Sequence, residues 1–570
     1  MHSFVSTPQA NIPRSRFSMP CNVKFTGNVG KLIPFYVAEV LPGDTFDVKT
    51  SVVCRLQTLI HPIMDNMYLD TYYFFCPNRL IWDNWQHFCG EPDRAWVPSK
   101  DWTVPQIARV VSMHNATEYN KYFKDTILDY MGIGINPNYE DPSEVPQAVA
   151  VEFNALPVRA YNKIYDDWYR DENLEDPINL YTGDNTVSAL IGVDQDSVIL
   201  SPLTGGEPYT ACKLHDYFTS ALPQAQRGNP ATLVINKNEA IPVNTFANPL
   251  VSGSKYPLKF TDSEGTALAN NGALRRKNDG SLSAGLDYSS GGGSIYPNNL
   301  GINLNGMSLG ITINDLRMAF QVQKFMERSA RGGARYIELI KSMFGVTSPD
   351  ARLQRTEYLG GHRIPINIHQ IVNTTETVET PLGNTGAMSV TSDVHEDFVH
   401  SFVEHGFVIG ICCVRYKHTY PQGWDRFWNR RTKFDFYWPL FAQIGEQPIR
   451  NDEIYVPSNP SEEQSVAGGL GKAVFGYQEA WADYRYKPNR VMGEMRPGVP
   501  NTLASWHLAD HYNQQPVLSA EWIKEDIAPV DRAIAVQSTA ADQFLFDMLI
   551  DNTATRPMPL YSIPGLVDHY

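Results

Sequence analysis

Short runs rich in β-branched and aromatic residues mark the first part of this chain of 570 residues. They are KLIPFYVAE (31–39), TFDVKTSVVCRLQT (45–58) and NMYLDTYYFFC (66–76), and the LPGD between the first two (41–44) is typical of a turn. Runs of this composition, bounded by turn residues, predict antiparallel strands. We therefore expect the early part of the chain to form β-sheet.

Two similar runs lie far along the chain, at 402–418 (FVEHGFVIGICCVRYKH) and 432–438 (TKFDFYW). Sheets completed by such distant strands are typical of Greek-key sandwiches and jelly rolls. The chain shows neither the strand–helix alternation of βαβ units nor an internal repeat of fixed period. The pattern predicts an all-β dominated fold with large inserted loops that contain helices.

Helical periodicity dominates one inserted segment. A first helix, capped by Thr312 or Asn314, is expected to pause at Gly332 and Gly333. A second helix is expected at 334–344, ending in a left-handed cap at Gly345. The positions predicted to be buried in these helices are Leu316, Phe320, Phe325, Met326, Tyr336, Ile337, Leu339, Ile340, Met343 and Phe344.

The same helical segment is a basic island. Residues 317–355 hold eight basic and three acidic side chains, whereas the whole chain has a formal charge of −15. Phosphate contacts carry little sequence information, so such an island can meet a nucleic-acid backbone without reading bases. A solvated helix face or salt bridges between subunits would give the same composition. The candidate DNA-facing residues here are Arg328, Arg331, Arg335 and Lys341.

A second basic run, WDRFWNRRTKF (424–434), alternates cations with aromatic rings. This mixture can stack bases and neutralise phosphates in sequence-tolerant binding of single strands. Alternatively, the rings pack into the fold and the arginines pair with acidic groups of neighbouring subunits. WADYRYKPNR (481–490) is a weaker candidate of the same kind. The candidate DNA-facing residues in the first run are Arg426, Arg430, Arg431 and Lys433.

Acidic residues crowd into DDWYRDENLED (166–176), which makes this run the one weak candidate for a metal or an acid/base pair. The run lacks the order of a calcium loop, so a solvated helix end is the preferred interpretation and no metal is predicted. No P-loop, zinc motif or nucleophile elbow is present, and no catalytic residue or cofactor is expected. The cluster residues are Asp166, Asp167, Asp171 and Glu172.

Composition favours a subunit of an assembly. Charged residues are 19% and aromatic residues 12% of the chain, which suggests that much surface is buried against other protein. Seven cysteines without metal-ligand spacing indicate reduced, buried thiols in a cytoplasmic product. No signal peptide and no membrane-spanning run is found.

The proline-rich start IPRSRFSMP (12–20) predicts an extended arm that contacts a neighbouring subunit through Arg14 and Arg16.

Several long blocks of the chain closely resemble the major capsid proteins of the Microviridae, small single-stranded DNA bacteriophages, in their gokushovirus branch. The strongest is TINDLRMAFQVQKFMERSARGGARYIELIKSMFGVTSPDARLQRTEYLGG (312–361). The others are NMYLDTYYFFCPNRLIWDNWQHFCGE (66–91), LPVRAYNKIYDDWYRDENL (156–174), the block at 405–449, VFGYQEAWADYRYKPNRVMGEMR (474–496) and RPMPLYSIPGLVDHY (556–570).

The resemblance implies an eight-stranded antiparallel jelly roll, the viral capsid β-barrel. It implies self-assembly through pentamers into a T=1 icosahedral shell around a circular single-stranded DNA genome, in the virion after assembly in the cytoplasm of a bacterial host. The partners it implies are other copies of the chain, the single-stranded DNA, an internal scaffolding protein, a small basic DNA-binding protein, a pilot protein and a host surface receptor.

The resemblance also divides the chain. The glycine-rich insertion at 229–305 is expected to form a protrusion at the threefold axes that attaches to the host, although a loop without function has the same composition. The alternative to a capsid subunit is a secreted carbohydrate-active or glycan-binding β-sandwich. The other predicted segments are an extended arm at 1–30, the first part of the jelly roll at 31–228, and its second part at 306–570, with a helical insertion at 312–345 and a carboxyl-terminal segment.

Overall fold

A computed structural model describes residues 12–91, 101–110, 121–134, 150–190, 195–228, 313–333, 335–347, 354–372, 374, 385–456 and 473–561, with short strands between 229 and 312. It divides into two compact units. One unit joins Met1–Arg227 to Glu327–Tyr570, and the other is Gly228–Met326.

The described strands are, in chain order, β1 (Ser15–Gly27), β2 (Ile33–Val40), β3 (Thr45–Leu56), β4 (Met67–Pro77), β5 (Gln106–Val110), β6 (Ala150–Asn154), β7 (Val187–Ala189), β8 (Val243–Thr245), β9 (Phe260–Thr261), β10 (Leu274–Arg276), β11 (Leu282–Ala284), β12 (Tyr296–Pro297), β13 (Leu300–Ile302), β14 (Glu357–Pro365), β15 (Ile368–Val372), β16 (Thr385–Ser389), β17 (Thr391–Ser401), β18 (Gly406–Tyr416), β19 (Glu446–Arg450), β20 (Val474–Glu479) and β21 (Phe544–Arg556). The described α-helices are α1 (Trp85–Phe88), α2 (Ile127–Tyr130), α3 (Leu156–Ile164), α4 (Asp196–Ile199), α5 (Ile313–Arg331), α6 (Tyr336–Phe344) and α7 (Ala528–Ala533).

Two four-stranded antiparallel sheets form the centre of the larger unit. The first has the order β1-β21-β3-β17 and the second β14-β4-β18-β2. The first sheet joins the two ends of the chain, because Ser15 of β1 lies opposite Arg556 of β21 and Gly27 lies opposite Phe544. The structure is therefore a strand-rich antiparallel sandwich with inserted helices, as the pattern of the sequence predicts.

The two sheets differ in how many faces they bury. Along β21, buried and exposed positions alternate, so one face of the first sheet meets the core and the other is accessible. In β18 every residue from Gly406 to Val414 is buried. Phe407 and Ile409 pack outward against α3 in one apolar cluster, while Val408 and Val414 belong to the cluster between the sheets. The uninterrupted apolar run of β18 thus marks a strand covered on both faces.

Aromatic rings fill the space between the sheets. The ring of Phe402 lies 5.4 Å from that of Phe46 and 4.8 Å from that of Phe75, measured between centroids. Tyr73 is fully buried, and its hydroxyl oxygen lies 2.7 Å from that of Thr50, so its polar end is satisfied. Burying each ring of this size contributes about 1.5–3 kcal/mol of apolar free energy to the sandwich.

Most of the predicted elements are confirmed. Strands β2, β3, β4 and β18 match four predicted runs, and Gly43 in the turn between β2 and β3 has a φ of +93°. The paired helices are also confirmed: α5 ends at Arg331, before the glycines, and α6 ends at Gly345, which has a φ of +72°. Glycine adopts these left-handed conformations without steric cost, and that explains both breaks.

Two predictions about local structure are wrong. Residues 432–438 do not form a strand; they begin with a short 3-10 turn, Lys433–Asp435, because the side chain of Asp435 accepts hydrogen bonds from the backbone of Thr432 and Arg431. The positions expected to be buried in α5 and α6 are not buried: Leu316, Phe320 and Phe325 of α5 and Tyr336 and Phe344 of α6 are exposed, and the other predicted positions are half-buried. Among the described residues, the apolar face of α6 is thus only partly covered.

The predicted amino-terminal arm is, from Ser15, an edge strand of the first sheet of its own chain. Arg14 precedes β1 and Arg16 lies in it, both exposed. The strand includes Pro20, which the edge of a sheet tolerates because its outer side needs no backbone donor. Residues 1–11 of the predicted arm lie outside the described part of the chain.

The second unit, Gly228–Met326, covers all of the glycine-rich insertion at 229–305. Its described backbone forms three antiparallel two-stranded pairs, β8 with β13, β9 with β12 and β10 with β11. The remaining residues between 229 and 312 lie outside the described part, and so does the predicted cap Thr312.

All seven cysteines are free thiols. Four of them, Cys54, Cys76, Cys412 and Cys413, are buried as expected, and burial raises their pKa values because a thiolate is poorly solvated there. Cys21 and Cys89 are exposed, which differs from the expectation of buried thiols throughout.

Candidate interaction surfaces

Residues 431–440 form a continuous exposed stretch that we call the aromatic segment. Each of these ten residues is exposed, and Leu440 reaches 93% and Phe434 61% of full exposure. Trp438 is also half exposed. Contiguous apolar surface of this kind marks a site where another molecule binds, since water contact with it is unfavourable.

The aromatic segment is held in place from one side. The backbone N–H of Tyr437 donates to the hydroxyl of Tyr484 over 3.2 Å, and the indole N–H of Trp481 donates to the carbonyl of Phe441 over 2.9 Å. Two backbone N–H groups, from Thr432 and Arg431, lower the pKa of Asp435. The exposed side chains therefore project from a fixed backbone, which reduces the entropy that a partner must remove.

Two of the predicted DNA-facing residues near this segment are engaged within the chain. Arg426 lies 3.2 Å from Glu453 and donates to the carbonyl of Pro448 over 2.8 Å. Arg430 forms an ion pair with Asp483. Both guanidinium groups are mostly buried, so their first role is to fix the fold of this region.

The other two predicted residues of this run differ. Arg431 and Lys433 are exposed, and among the described residues no ion pair involves either side chain. The ammonium of Lys433 lies 5.0 Å from the ring of Phe434. These two cations are therefore accessible to an external anion, while Arg426 and Arg430 are accessible only along the cleft described next.

A cleft joins the two basic-aromatic runs, 424–434 and 481–490, which the sequence analysis ranked separately. It comprises a cavity of about 380 Å³ and an adjoining one of about 160 Å³. We call it the basic-aromatic cleft. Its lining residues are Tyr217, Phe218, Tyr420, Pro421, Gly423, Trp424, Asp425, Arg426, Phe427, Trp428, Arg430, Glu453, Asp483, Tyr484, Arg485, Tyr486, Lys487, Pro488, Asn489, Arg490, Val491, Met492 and Arg496.

Sequence reasoning missed part of this cleft. Arg485, Lys487 and Arg490 belong to the weaker run at 481–490. That run mixes cations with aromatic rings, as the stronger run does, so its composition could have indicated a shared site. Arg496 lies beyond that run, and Tyr217 comes from a segment more than 200 residues earlier in the chain. These two are brought to the cleft by tertiary folding alone.

The basic helical segment also divides into engaged and accessible cations. Arg331 forms an ion pair with Glu446. Arg335 lies 2.9 Å from Glu172 and donates to the backbone carbonyls of Asp166 and Asp167. Arg328 and Lys341 are exposed, with no ion pair to either side chain among the described residues.

The acidic cluster at 166–176 is an ion-pair network within the chain. Asp166 lies 2.7 Å from Arg170, and Asp167 lies 2.7 Å from Lys163 and accepts from the backbone N–H of Thr356. Asp171 accepts from the backbone N–H of Asn173 and Leu174, and Glu172 pairs with Arg335. In the described part of the chain no three His, Cys, Asp or Glu side chains converge on a position for a metal ion.

One functionally suggestive cluster had no local signal in the sequence. The imidazole of His418 is fully buried, with Nδ1 2.8 Å from Asp510 and Nε2 2.9 Å from Glu525. Lys213 lies 3.4 Å from the same Asp510. Burial by itself lowers the pKa of His418, but the two carboxylates outweigh it and raise the pKa to about 9. The imidazolium is therefore a permanent buried charge near neutral pH.

None of the described helices is long and apolar enough to cross a membrane.

Comparison with known proteins gives full-length matches. A family described as "Capsid protein (F protein)" matches residues 5–566. A capsid protein VP1 of Spiroplasma virus 4 is 38% identical over 577 residues, 99% of this chain and 98% of the relative. The corresponding VP1 proteins of Chlamydia phage 1 and Bdellovibrio phage phiMH2K are 35% and 36% identical, each over 99% of this chain and 97% of the relative.

Proposed function

This chain belongs to the bacteriophage F capsid protein family, in its gokushovirus-type branch, and from that premise we propose that copies of it assemble through the aromatic segment. The protein is a structural component of the virion, it self-associates into a shell, and it is not an enzyme. The alternative, a carbohydrate-active or glycan-binding protein, is not supported. The carboxylates of the acidic run at 166–176 that suggested it form ion pairs within the chain.

The observation that carries the proposed interface is the run of ten exposed residues at 431–440. Its large apolar side chains include Phe434, Trp438 and Leu440. Aromatic anchors on a fixed backbone dominate the energetics of protein interfaces. A second copy of the chain is the partner that we assign to this surface, since the subunits of a shell bury apolar surface against one another.

The interface is tested by replacing Leu440 with Asp. Because Leu440 is 93% exposed, the substitution should leave the unfolding temperature of the isolated chain unchanged. Shell formation should fall at least tenfold, because an unpaired carboxylate would be buried between subunits. Sedimentation and electron microscopy measure the yield of shells, and Leu440→Met is the matched control that should assemble normally. Shells of Leu440→Asp at normal yield would rule out this interface.

The finer architecture of the subunit is also part of the proposal. We assign the sandwich to the eight-stranded jelly roll of viral capsids. The supporting observation is that the sheets β1-β21-β3-β17 and β14-β4-β18-β2 each interleave strands from the early and late parts of the chain. Closed shells follow from heterologous contacts that return around symmetry axes, here through pentamers to a T=1 icosahedron.

The glycine-rich insertion is proposed as the host-attachment protrusion at the threefold axes. In support, Gly228–Met326 forms a compact unit of its own, so it can vary without disturbing the sandwich. A host surface receptor is the corresponding partner.

The proposed cargo is a circular single-stranded DNA genome. Arg328 and Lys341 are exposed cations available to phosphates. Arg431 and Lys433 lie in the aromatic segment proposed as the subunit interface, and Arg331, Arg335, Arg426 and Arg430 already pair with acidic groups of the chain. The chain has a formal net charge of −15, so it cannot neutralise the phosphates of the genome by itself. A small basic DNA-binding protein would supply the missing positive charge. An internal scaffolding protein and a pilot protein complete the proposed partners, with assembly in the host cytoplasm.

A further inference from the structure

We propose that the basic-aromatic cleft binds unpaired nucleotides by stacking their bases against its aromatic wall. The inference rests on the proposed single-stranded cargo and assigns a specific site to it. The two runs that form the cleft are separated in the sequence by about fifty residues, and the fold brings them to one cavity.

The wall offers open ring faces. Trp428 is 71% exposed, and Trp424, Phe427 and Tyr484 are also exposed. The rings of Phe427 and Trp428 lie 4.9 Å apart, which makes a continuous aromatic surface. Deeper in the cleft, Tyr217 and Tyr486 stack in parallel at 5.1 Å and fix the position of the wall. Base stacking on such rings is tolerant of sequence, because every base has a π face.

Cations are arranged around the wall. Six basic side chains line the cleft, against three acidic ones, in a chain that is strongly acidic. Lys487 has 73% of its side chain exposed, and it lies 5.6 Å from the ring of Phe427. Lys487 and Arg490 both approach Asp425, so the exposed ends of these cations are held at the rim of the cleft. One carboxylate neutralises only part of the charge of two cations, so the rim keeps a net positive charge that an incoming phosphate can meet.

The size of the cleft fits a small number of nucleotides. Its main cavity, about 380 Å³, lies near the lower end of the roughly 300–1,000 Å³ range of small-ligand sites. A base pair in a duplex hides its faces by stacking, so a duplex cannot use the wall. A basic peptide is disfavoured by the excess of cations around the cleft. Single-stranded nucleic acid satisfies both the rings and the charges.

The experiment compares two fluorescein-labelled strands of equal length and charge: an oligothymidylate of twelve nucleotides, and a strand in which abasic sites replace all but the terminal bases. Full-length protein is titrated against each, and fluorescence anisotropy gives the dissociation constants. Stacking is worth about 1–3 kcal/mol per base, so we expect the oligothymidylate to bind about 5- to 150-fold more tightly.

Variants separate stacking from charge. Trp428→Ala should remove most of the preference for bases and change the affinity for the abasic strand less than about twofold. Lys487→Ala with Arg490→Ala should weaken both strands and reduce the salt dependence of binding, because fewer counterions are released. The matched controls are Tyr561→Ala and Lys24→Ala, an exposed ring and an exposed cation outside the cleft, which should change neither affinity.

Equal affinity for the two strands, or a base preference that survives Trp428→Ala, would overturn the cleft as a stacking site. Electron microscopy of the same samples keeps this result distinct from a failure of the proposed function. If the protein forms shells but binds both oligonucleotides equally, the cleft is rejected and the assembly proposal stands. If the protein never forms shells but binds the oligothymidylate with the expected preference, the cleft is supported and the assembly proposal is rejected.

Discussion

At the scale of single residues, the clearest physical consequence comes from a charge in the interior. His418 lies between Asp510 and Glu525, with Lys213 beside Asp510, and all four side chains are buried. Burial alone would neutralise such groups, and mutual attraction keeps His418 and Asp510 ionised. The cluster joins the residues that follow β18 to the segments that contain Asp510 and Glu525, so its protonation is linked to folding.

We predict that the chain loses stability as the pH rises above neutrality. The pKa of His418 is about 9 in the folded chain and about 6.5 when unfolded, so its contribution is fully present below pH 6.5 and lost as the pH passes 9. The shift corresponds to a contribution on the order of 3 kcal/mol. Thermal unfolding between pH 6 and pH 10 measures it.

His418→Gln is the matched control for this pH effect. It should unfold at a lower temperature at pH 6 and show a weaker fall between pH 6.5 and 9. A parallel decline in the wild type and in the variant would assign the pH dependence to other groups.

At the scale of elements, β1 illustrates how an extended segment is used. A proline-rich start that cannot form a helix is equally suited to an arm on a neighbour or to an edge strand. In the structure, the part from Ser15 to Pro20 pairs with residues from Arg556 to Asp551 of β21. The segment pairs with the chain's own sandwich because β21 would otherwise be an edge strand with unpaired backbone groups on that side.

Deletion of residues 1–20 should consequently lower the unfolding temperature of the chain by several degrees, because it removes six backbone pairs and exposes the edge of β21. Differential scanning calorimetry measures the change. Arg14→Ala with Arg16→Ala removes the charges but keeps the strand, so it should leave the unfolding temperature unaltered. If the deletion impairs shell assembly with no effect on unfolding, the arm acts on neighbours and its pairing within the chain is unimportant.

At the scale of the whole molecule, the division into two units separates the structural part from the inserted part. The eight strands of the sandwich lie in the unit formed by Met1–Arg227 and Glu327–Tyr570, and none of them comes from Gly228–Met326. A unit without sandwich strands can be changed while the shell-forming part keeps its core.

Replacing residues 229–305 with a short Gly-Ser linker should therefore leave shell formation intact and abolish attachment to host cells. Electron microscopy measures the first and an adsorption assay on the host the second. An unrelated glycine-rich loop of the original length is the control for a purely steric effect. Adsorption at the wild-type level would exclude the insertion as the attachment element.

Much of the fold follows from local patterns. The breaks after α5 and α6 are set by Gly333 and Gly345, and the strand β18 by its apolar run. The strand predicted at 432–438, within the aromatic segment, is wrong. Its alternation of residue types favours a strand only where a partner strand is available. Here the hydrogen bonds of Asp435 fold the segment into a turn, and its rings remain for another molecule.

Four central strands (β2, β3, β4 and β18), the break between α5 and α6, the acidic charge with local basic runs and the family resemblance all follow from the sequence alone. These properties depend on residues close together in the chain, where periodicity and composition act directly. Tertiary structure alone decided that β1 pairs with β21, that two basic-aromatic runs share one cleft, and that His418 lies between two carboxylates. Such pairings depend on long-range packing and burial, which no local pattern specifies.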